Sequence, residues 1–316
     1  MAQAIVFTEL GAPSVLHAIT IDDPVPGAGE VVVRIEAAGV NPLDAKQRSG
    51  LRPTPPIVEP RRVGFDGAGI ISAVGEGVTE FSIGDRVAVF NTPGTYATHV
   101  VAAEGSLALL DDAVTYSEGA ALGIPAGTAY QVARSLDFSA DDTVLVHGGS
   151  GAVGQALVQF AVAAGATVVA TASERRHDRM RAIGAIPVTY GEGLQQRVVE
   201  AAPQGVTVAV DCIGTDEAIE VSKAVVADHN RVATIVRGPD AAQLGIRAFS
   251  GGSPVPLTDQ EEQWRIDAVS ETIALITQKK FSVEFGEELP MSQAPRAHEL
   301  MEAGASGGKI ILRPEF

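Results

Sequence analysis

Val144-Leu145-Val146-His147-Gly148-Gly149-Ser150-Gly151-Ala152-Val153-Gly154 runs directly into Gln155-Ala156-Leu157-Val158-Gln159-Phe160-Ala161: an apolar β-branched run, a glycine turn and an amphipathic helix in one line. The Gly149-x-Gly151-x-x-Gly154 spacing puts glycines where a turn must be tight, where backbone must approach a pyrophosphate, and where a helix must lie close to a sheet. The helix start then offers free N–H groups and the positive end of a dipole to phosphates. The stretch therefore predicts a dinucleotide site, with Gly149, Ser150, Gly151, Ala152, Val153 and Gly154 around the pyrophosphate. Spacing alone is weak in a chain with 34 glycines. Context strengthens it, because Gly165 to Thr171 reads as the next parallel strand. Two competing motifs fail. A nucleophile elbow around Ser150 lacks its last glycine, which is Ala152. A phosphate loop before Gly308-Lys309 lacks its first glycine, which is Ala303, and Ile310 replaces the Ser/Thr.

Outward from this stretch the chain has two textures. The first hundred residues carry short strand candidates (Ala4 to Phe7, Leu16 to Ile21, Glu30 to Val40, Gly69 to Val74, Arg86 to Val89, Tyr96 to Ala102) between Gly/Pro clusters, a compact, irregular β domain. From about Ser117, helices alternate with apolar strands at Val144 to His147, Thr167 to Ala170, Val206 to Val210 and Arg231 to Val236, which implies a parallel sheet with helices on both faces. Ligand then belongs outside the C-terminal ends of those strands. Thr258 to Lys279 reads as a long amphipathic helix and Lys309 to Leu312 as a closing strand.

Bulk properties narrow the function. A length of 316 residues suggests about two domains. The formal net charge of −16 with no long basic run argues against nucleic acid or an anionic membrane as partner. No apolar run approaches the ~20 residues of a membrane span, and Met1 to Phe7 shows no secretion signal. The single cysteine, Cys212, excludes an intramolecular disulfide framework, and a cytoplasmic, reducing compartment fits these features. Structural zinc needs clustered Cys/His ligands. The 6 histidines are scattered, so no metal is expected.

The tip of the second strand selects the cofactor, and an acid there signals NAD. Here the tip is Thr171-Ala172-Ser173-Glu174-Arg175-Arg176-His177. Ser173 offers a hydrogen bond and Arg175 or Arg176 a guanidinium fork to a 2′-phosphate, which favours NADP(H). Arg175, Arg176, Arg179 and Arg181 also fit an exposed helix face. Glu174 turned inward would repel the phosphate and serve NAD instead.

Asn41-Pro42-Leu43-Asp44, Val63 to Gly69, Phe81 to Val87, Gly127-Thr128-Ala129-Tyr130, the glycine turn and Gly308 to Leu312 occur in this order. Together they resemble the zinc-independent quinone oxidoreductase branch of the medium-chain dehydrogenase/reductase superfamily, over nearly the whole chain. The resemblance implies an α/β fold in which a Rossmann doubly wound parallel sheet domain (123–258) is inserted into a GroES-like, chaperonin-10-like β-rich domain (1–122 and 259–316). It also implies a cleft where nicotinamide meets substrate, and a homodimer. Metal-dependent relatives carry a Cys near Asn41 and a His-Glu pair near Phe65-Asp66; Asn, Phe and Asp stand here instead. Without a Lewis acid an alkoxide loses its usual stabilisation, whereas an activated C=C or a quinone remains reducible.

Carried over by resemblance, Asn41 and Thr128 line the nicotinamide side, Cys212 and Ile213 end a strand beside the cofactor, and Ile235 and Val236 pass near the nicotinamide, as do Phe249 and Ser250. Asp44, Arg52 and Tyr130 are expected to line the substrate space, although Asp44 also reads as a turn residue accepting backbone N–H bonds. Tyrosines of many quinone oxidoreductases are replaced by Lys46 and Arg52. Lys46 resembles relatives that reduce alkenals and enones, where a cation stabilises an enolate oxygen; its plain reading is a solvated lysine. Cys212 reads as a small buried hydrophobe. The leading expectation is an NADPH-dependent reductase of a quinone or of the C=C of an α,β-unsaturated carbonyl, with Asn41, Lys46 and Thr128 at the chemistry. An NADPH-binding sensor or partner-binding protein and a zinc alcohol dehydrogenase are the alternatives.

Overall fold

The Gly/Pro-punctuated first part of the chain forms β1 (Ala2–Phe7), β2 (His17–Ile21), β3 (Glu30–Gly39), α1 (Pro42–Arg48), β4 (Arg61–Arg62), β5 (Asp66–Val74), β6 (Arg86–Val89), β7 (His99–Ala103), β8 (Leu107–Leu109) and α2 (Tyr116–Ala120). The computed structural model describes residues 1–249 and 255–316, so Ser250 lies outside the described residues. The chain divides into two units: Met1–Ile124 with Val269–Lys279 and Val283–Phe316, and Pro125–Ala268 with Lys280–Ser282. Helix α3 (Gly123–Ser135) follows α2 and crosses the first division.

The alternating second part forms β9 (Thr143–His147), α4 (Ala152–Ala163), β10 (Thr167–Thr171), α5 (His177–Ala182), β11 (Ile186–Val188), α6 (Leu194–Ala201), β12 (Val208–Asp211), α7 (Asp216–Val225), β13 (Val232–Thr234), α8 (Ala241–Leu244) and β14 (Arg247–Ala248). These strands make one parallel sheet in the order β11-β10-β9-β12-β13-β14. Numbered within the sheet, this is 3-2-1-4-5-6, the doubly wound order whose strand direction of travel reverses between β9 and β12. Every residue of β9 and β12 is buried, as continuous apolar runs covered on both faces require. Val144 pairs with Val168 on one side and Val208 on the other, and Leu145, Val169, Ala209 and Val232 belong to one core.

The chain returns to the first unit through α9 (Asp259–Thr277), β15 (Phe285–Pro290), α10 (Ala294–Glu302) and β16 (Lys309–Arg313). The division falls inside α9, after Ala268, so its second half goes with the first unit. A sheet in the order β15-β16-β3-β5-β6-β8, with β7 also on β3, and a smaller β2-β1-β4 sheet complete the unit. Its core draws Ile5, Phe7, Val33, Ile35, Ile71, Val87 and Tyr96 from the first part of the chain and Met291, Ile310 and Leu312 from the last. Burying each such side chain contributes about 1.5–3 kcal/mol, which ties the two distant segments together. The pairing Ile311↔Gly39 places Lys309 beside Asn41. Among the described residues no helix is long and apolar enough to cross a membrane.

Two local readings change. The expected strand from Tyr96 starts at His99: Tyr96 N–H donates to the distant Val63 carbonyl, and Ala97 makes only an isolated bridge to Ala4. The turn after Asn41 is a helix, α1, with Pro42 at its first position, where a missing N–H has no consequence.

Candidate functional site

The glycine turn is built as the spacing demands. Gly148 has φ +73, and its N–H donates to Thr171 Oγ1 at 3.0 Å while Gly149 N–H donates to Thr171 O at 3.0 Å, which pins the turn to the end of β10. A Cβ on Gly149 would lie 2.8 Å from Ala170 Cβ, and one on Gly154 would lie 2.9 Å from Gly149 Cα and closer still to the Gly148 carbonyl oxygen. A Cβ on Gly151 would meet nothing nearer than Gly148 O at 3.5 Å. Gly151 is therefore dispensable for packing, and its surface is open to a ligand. Gly151 and Ala152 are exposed and Val153 half-buried at the start of α4, whose first N–H groups have no acceptor within the helix. This cradle fits a pyrophosphate.

Beyond β10, Ser173 is half-buried, Glu174 and Arg175 are exposed and Arg176 is half-buried. Of the arginines that follow, Arg179 donates to Gln155 Oε1 (2.8 Å) and Ser282 O (2.8 Å), and Arg181 pairs with Asp178 (2.8 Å). Those two serve the protein, while Arg175 is exposed at the same tip. Tyr190, singled out by no motif, is 57% exposed just past β11, the strand paired with β10. Its ring adds an aromatic surface to that rim.

Across the switch point, Asp211 at the end of β12 shapes two loops. Its Oδ1 accepts from Ile213 N (2.9 Å) and Gly214 N (2.8 Å), and its Oδ2 accepts from Thr234 Oγ1 (2.7 Å). Thr234 Oγ1 in turn accepts from the backbone of Val236 (3.1 Å) and Arg237 (3.0 Å). Ile213 and Val236 are exposed, 55% and 42%, at the mouth beside the glycine turn, and Cys212 N–H donates to His147 O at 3.0 Å. Cys212 is half-buried just past the end of β12, not the buried strand hydrophobe its plain reading suggests, and desolvation, with Asp211 adding to it, raises its thiol well above the ordinary range. Burial holds the His147 imidazole down to about 4 and hence neutral. Ile235 is half-buried, and Phe249 is buried, its ring under Arg247 and its N–H bonded to Thr234 O. Thr128 is half-buried on α3, while the Tyr130 ring packs edge-on against Phe160 at 5.3 Å between centroids, with the Arg134 guanidinium 6.0 Å from its centroid.

In the first unit the sequence-selected Asn41 and Asp44 belong to a buried polar network. Asn41 is 1% exposed; its Nδ2 donates to Gly39 O (3.2 Å) and Asp66 Oδ2 (2.9 Å), and its Oδ1 accepts from Lys309 Nζ at 2.6 Å. Both amide hydrogens are thus spent inside the protein, which makes Asn41 a hub. Asp66 Oδ2 also accepts from Ile124 N at 2.9 Å, holding the start of α3. A side chain on Gly123 would collide with that carboxylate. Asp44 Oδ2 accepts from Asn41 N (2.8 Å) and Tyr96 Oη (2.9 Å), and Tyr96 Oη lies 3.5 Å from His298 Nε2. Burial pushes the Asp44 carboxyl up to about 7 against these hydrogen bonds, raises Asp66, and lowers Lys309 despite both acids. Burial, with Arg48 adding to it, takes His298 down to about 3. Sequence reasoning singled out neither Lys309 nor Tyr96 nor His298 for this network. Lys46 and Arg52 lie outside it, exposed at and just after the end of α1.

Family models match an alcohol dehydrogenase GroES-like domain over residues 27–134 and a zinc-binding dehydrogenase over residues 183–312. A quinone oxidoreductase of Pseudomonas aeruginosa is 32% identical over 99% of this chain and 100% of its own length, and one of Rattus norvegicus is 30% identical over 99% and 98%. The crystal structure of an Escherichia coli quinone oxidoreductase complexed with NADPH superposes with a TM-score of 0.84 at 26% identity, covering 99% of this chain and 100% of that one. A quinone oxidoreductase of Pseudomonas syringae gives 0.85 at 29%, with the same coverage. The description of the second family model implies zinc, which needs three or four N, S or O donors around one point. Among the described residues no group of three His, Cys, Asp or Glu offers that, and the Asn41 oxygen already receives an ammonium group. The donors do not fit zinc. In sequence along its full length, and in fold, the chain belongs to the quinone oxidoreductase branch of the medium-chain dehydrogenase/reductase superfamily.

Proposed function

We propose that the chain is an NADPH-dependent, metal-independent reductase of a quinone or of the C=C of an α,β-unsaturated carbonyl. The observation that carries this reading is the open glycine cradle at the β9/β12 switch point with Ser173, Arg175 and Arg176 one strand away. Backbone N–H groups from Ser150 to Gly154 and the α4 dipole hold the pyrophosphate. Arg175 and Arg176, with Ser173, hold the 2′-phosphate by charge-assisted hydrogen bonds, and the exposed Tyr190 flanks the adenosine end. Ile213 and Val236, held by the Asp211–Thr234 bonds, bound the nicotinamide end.

NADPH, when bound, supplies the hydride; the chain supplies position and electrostatics. Lys46 is the cation we assign to the oxyanion that develops on a reduced enone or quinone, with Thr128 beside the nicotinamide and Arg52 near the acceptor. Asn41 acts at one remove, by fixing the start of α1 on which Lys46 stands. Solvent supplies the proton, so no buried acid is required to reach the acceptor. The test is NADPH oxidation followed against a panel of enones and quinones. Turnover with at least one class, slowed by Lys46→Met in kcat more than in KM, is expected. Flat traces across both classes from a folded, NADPH-bound protein refute the reading.

A further inference from the structure

A parallel sheet in the order β11-β10-β9-β12-β13-β14 divides at its switch point into two mononucleotide-binding halves. The first half carries the glycine turn and the arginine-bearing tip of β10, so the second, ending at β14, faces the nicotinamide. β14 is a weak end for that half: it is two residues long and, among the described residues, the last strand of the sheet, paired with β13. The buried Phe249 follows it at the C-terminal end, the side on which ligand binds. Its N–H donates to Thr234 O (3.1 Å), and its carbonyl accepts from Arg265 Nη2 (2.8 Å) on α9. The same Nη2 donates to Gln131 Oε1 (3.1 Å) on α3, where the two helices lie so close that a Cβ on Gly127 would be 3.1 Å from Arg265 O. Gln131 is fully buried, and its Nε2 donates to Ser135 Oγ (3.0 Å), which donates to Glu261 Oε1 (3.0 Å) near the start of α9. Ser135 O accepts from Arg247 Nη1 (2.8 Å), and the Arg247 guanidinium lies 4.7 Å from the centroid of the Phe249 ring. Phe249 is thus held at its N–H, its carbonyl and its ring, and both arginines that hold it are anchored on α3.

We propose that Arg265 is a positioning residue for the nicotinamide half of the cofactor: its guanidinium, bridging Gln131 and the Phe249 carbonyl, fixes the chain where it leaves β14. The inference rests on the NADPH reading above and not on the acceptor. A planar guanidinium suits this task, because its donors point in fixed directions and one side chain can hold a helix amide and a strand-end carbonyl together. A lysine ammonium is a point charge on a flexible stem and imposes no such angle. Burial lowers the Arg265 pKa, with Glu262 and Glu261 acting against it. Without the bridge the Phe249 carbonyl and the Gln131 amide oxygen lose their charged donor, and Phe249 shifts. The tip of β10, four strands away across the sheet, is untouched.

The test compares the wild type, Arg265→Met and Arg265→Lys for binding of NADPH and of 2′,5′-ADP, which carries the adenosine end and the 2′-phosphate without the nicotinamide. Arg265→Met should raise the Kd for NADPH about tenfold, the equivalent of one lost hydrogen bond to a charged group. It should also move the fluorescence emission of bound NADPH toward that of NADPH in water. Its Kd for 2′,5′-ADP should stay within a factor of about 2 of the wild type, as for a site too distant to couple. Arg265→Lys should show the same selective loss, smaller than that of Arg265→Met, and it decides the matter if Arg265→Met does not fold. Equal losses for the two ligands, which a merely structural arginine would give, overturn the inference. So does unchanged NADPH affinity in Arg265→Met, or in Arg265→Lys where Arg265→Met does not fold. A wild type that binds neither ligand refutes the cofactor reading and the inference with it, whereas either of the other results in a wild type that binds both refutes the inference alone.

Discussion

Replacing Gly154 by alanine and Gly151 by alanine should separate folding from cofactor binding within one turn. A methyl on Gly154 would sit 2.9 Å from Gly149 Cα and nearer still to Gly148 O. Carbon atoms pack at about 3.5–4.0 Å, so the start of α4 must withdraw by roughly 0.6 Å. Such overpacking costs about 1–3 kcal/mol, read as a lower unfolding free energy without cofactor. The same withdrawal stretches a 2.9 Å N–H···phosphate bond to about 3.5 Å, beyond useful geometry. Losing one hydrogen bond to a charged group costs about 1.5–3 kcal/mol, a ~10- to 150-fold rise in Kd for NADPH. Gly151→Ala differs, because its methyl meets only Gly148 O at 3.5 Å in the free protein. Its stability should stay at the wild-type value while NADPH affinity falls at least tenfold. Denaturant melts and NADPH fluorescence titrations read the two quantities separately. Wild-type stability in Gly154→Ala, or wild-type affinity in Gly151→Ala, would refute the assignment of the turn.

Arg175→Ala should weaken NADPH by about 10-fold or more while leaving NADH within a factor of about 2, since the exposed Arg175 is expected to touch only the 2′-phosphate; equal losses for both cofactors would count against that role. Thr234→Val leaves Asp211 Oδ2 without its 2.7 Å donor and the Val236 and Arg237 N–H groups without their acceptor. It should lower unfolding free energy by about 1–3 kcal/mol and raise the KM for NADPH, a coupling disproved by an unchanged KM. Asp44, raised to about 7 in the fold from 3.8, binds its proton more tightly folded than unfolded. Its contribution to stability is full below pH 3.8, declines as pH rises, and is gone above about 7. The isosteric Asp44→Asn should therefore gain stability relative to the wild type between pH 4 and pH 7, and parallel melting curves over that range contradict it.

The glycine turn, the parallel sheet and the arginine-bearing tip of β10 were legible because each is written in a short stretch of contiguous residues. The start of α1 was nearly legible: Pro42 at the first helical position and Asp44 two residues later are start signals, and reading Asp44 as a turn residue caught its backbone bond without the helix. β14, two residues long, has too little sequence to carry a period. The buried network was out of reach for a different reason. Lys309 and Asn41 are separated by 268 positions, and Tyr96 and His298 by 202. Nothing local distinguishes a lysine that meets an amide across a sheet from one in solvent. Gly308-Lys309 was therefore visible as a family marker and silent as chemistry. Lys46, on the other hand, is as exposed as its plain reading allows. Its role rests on the acceptor.

Hydride transfer from NADPH with no metal is tested most directly by isotope effects on chelator-treated enzyme. Protein dialysed against chelator to below a tenth of a zinc per chain would be assayed with NADPH deuterated at one or the other C4 position, using its best quinone or enone. Undiminished turnover after chelation and a primary isotope effect with only one of the two labels are expected. Turnover that vanishes on chelation and returns with added zinc, or isotope effects absent from both labels in single-turnover measurements, would contradict it.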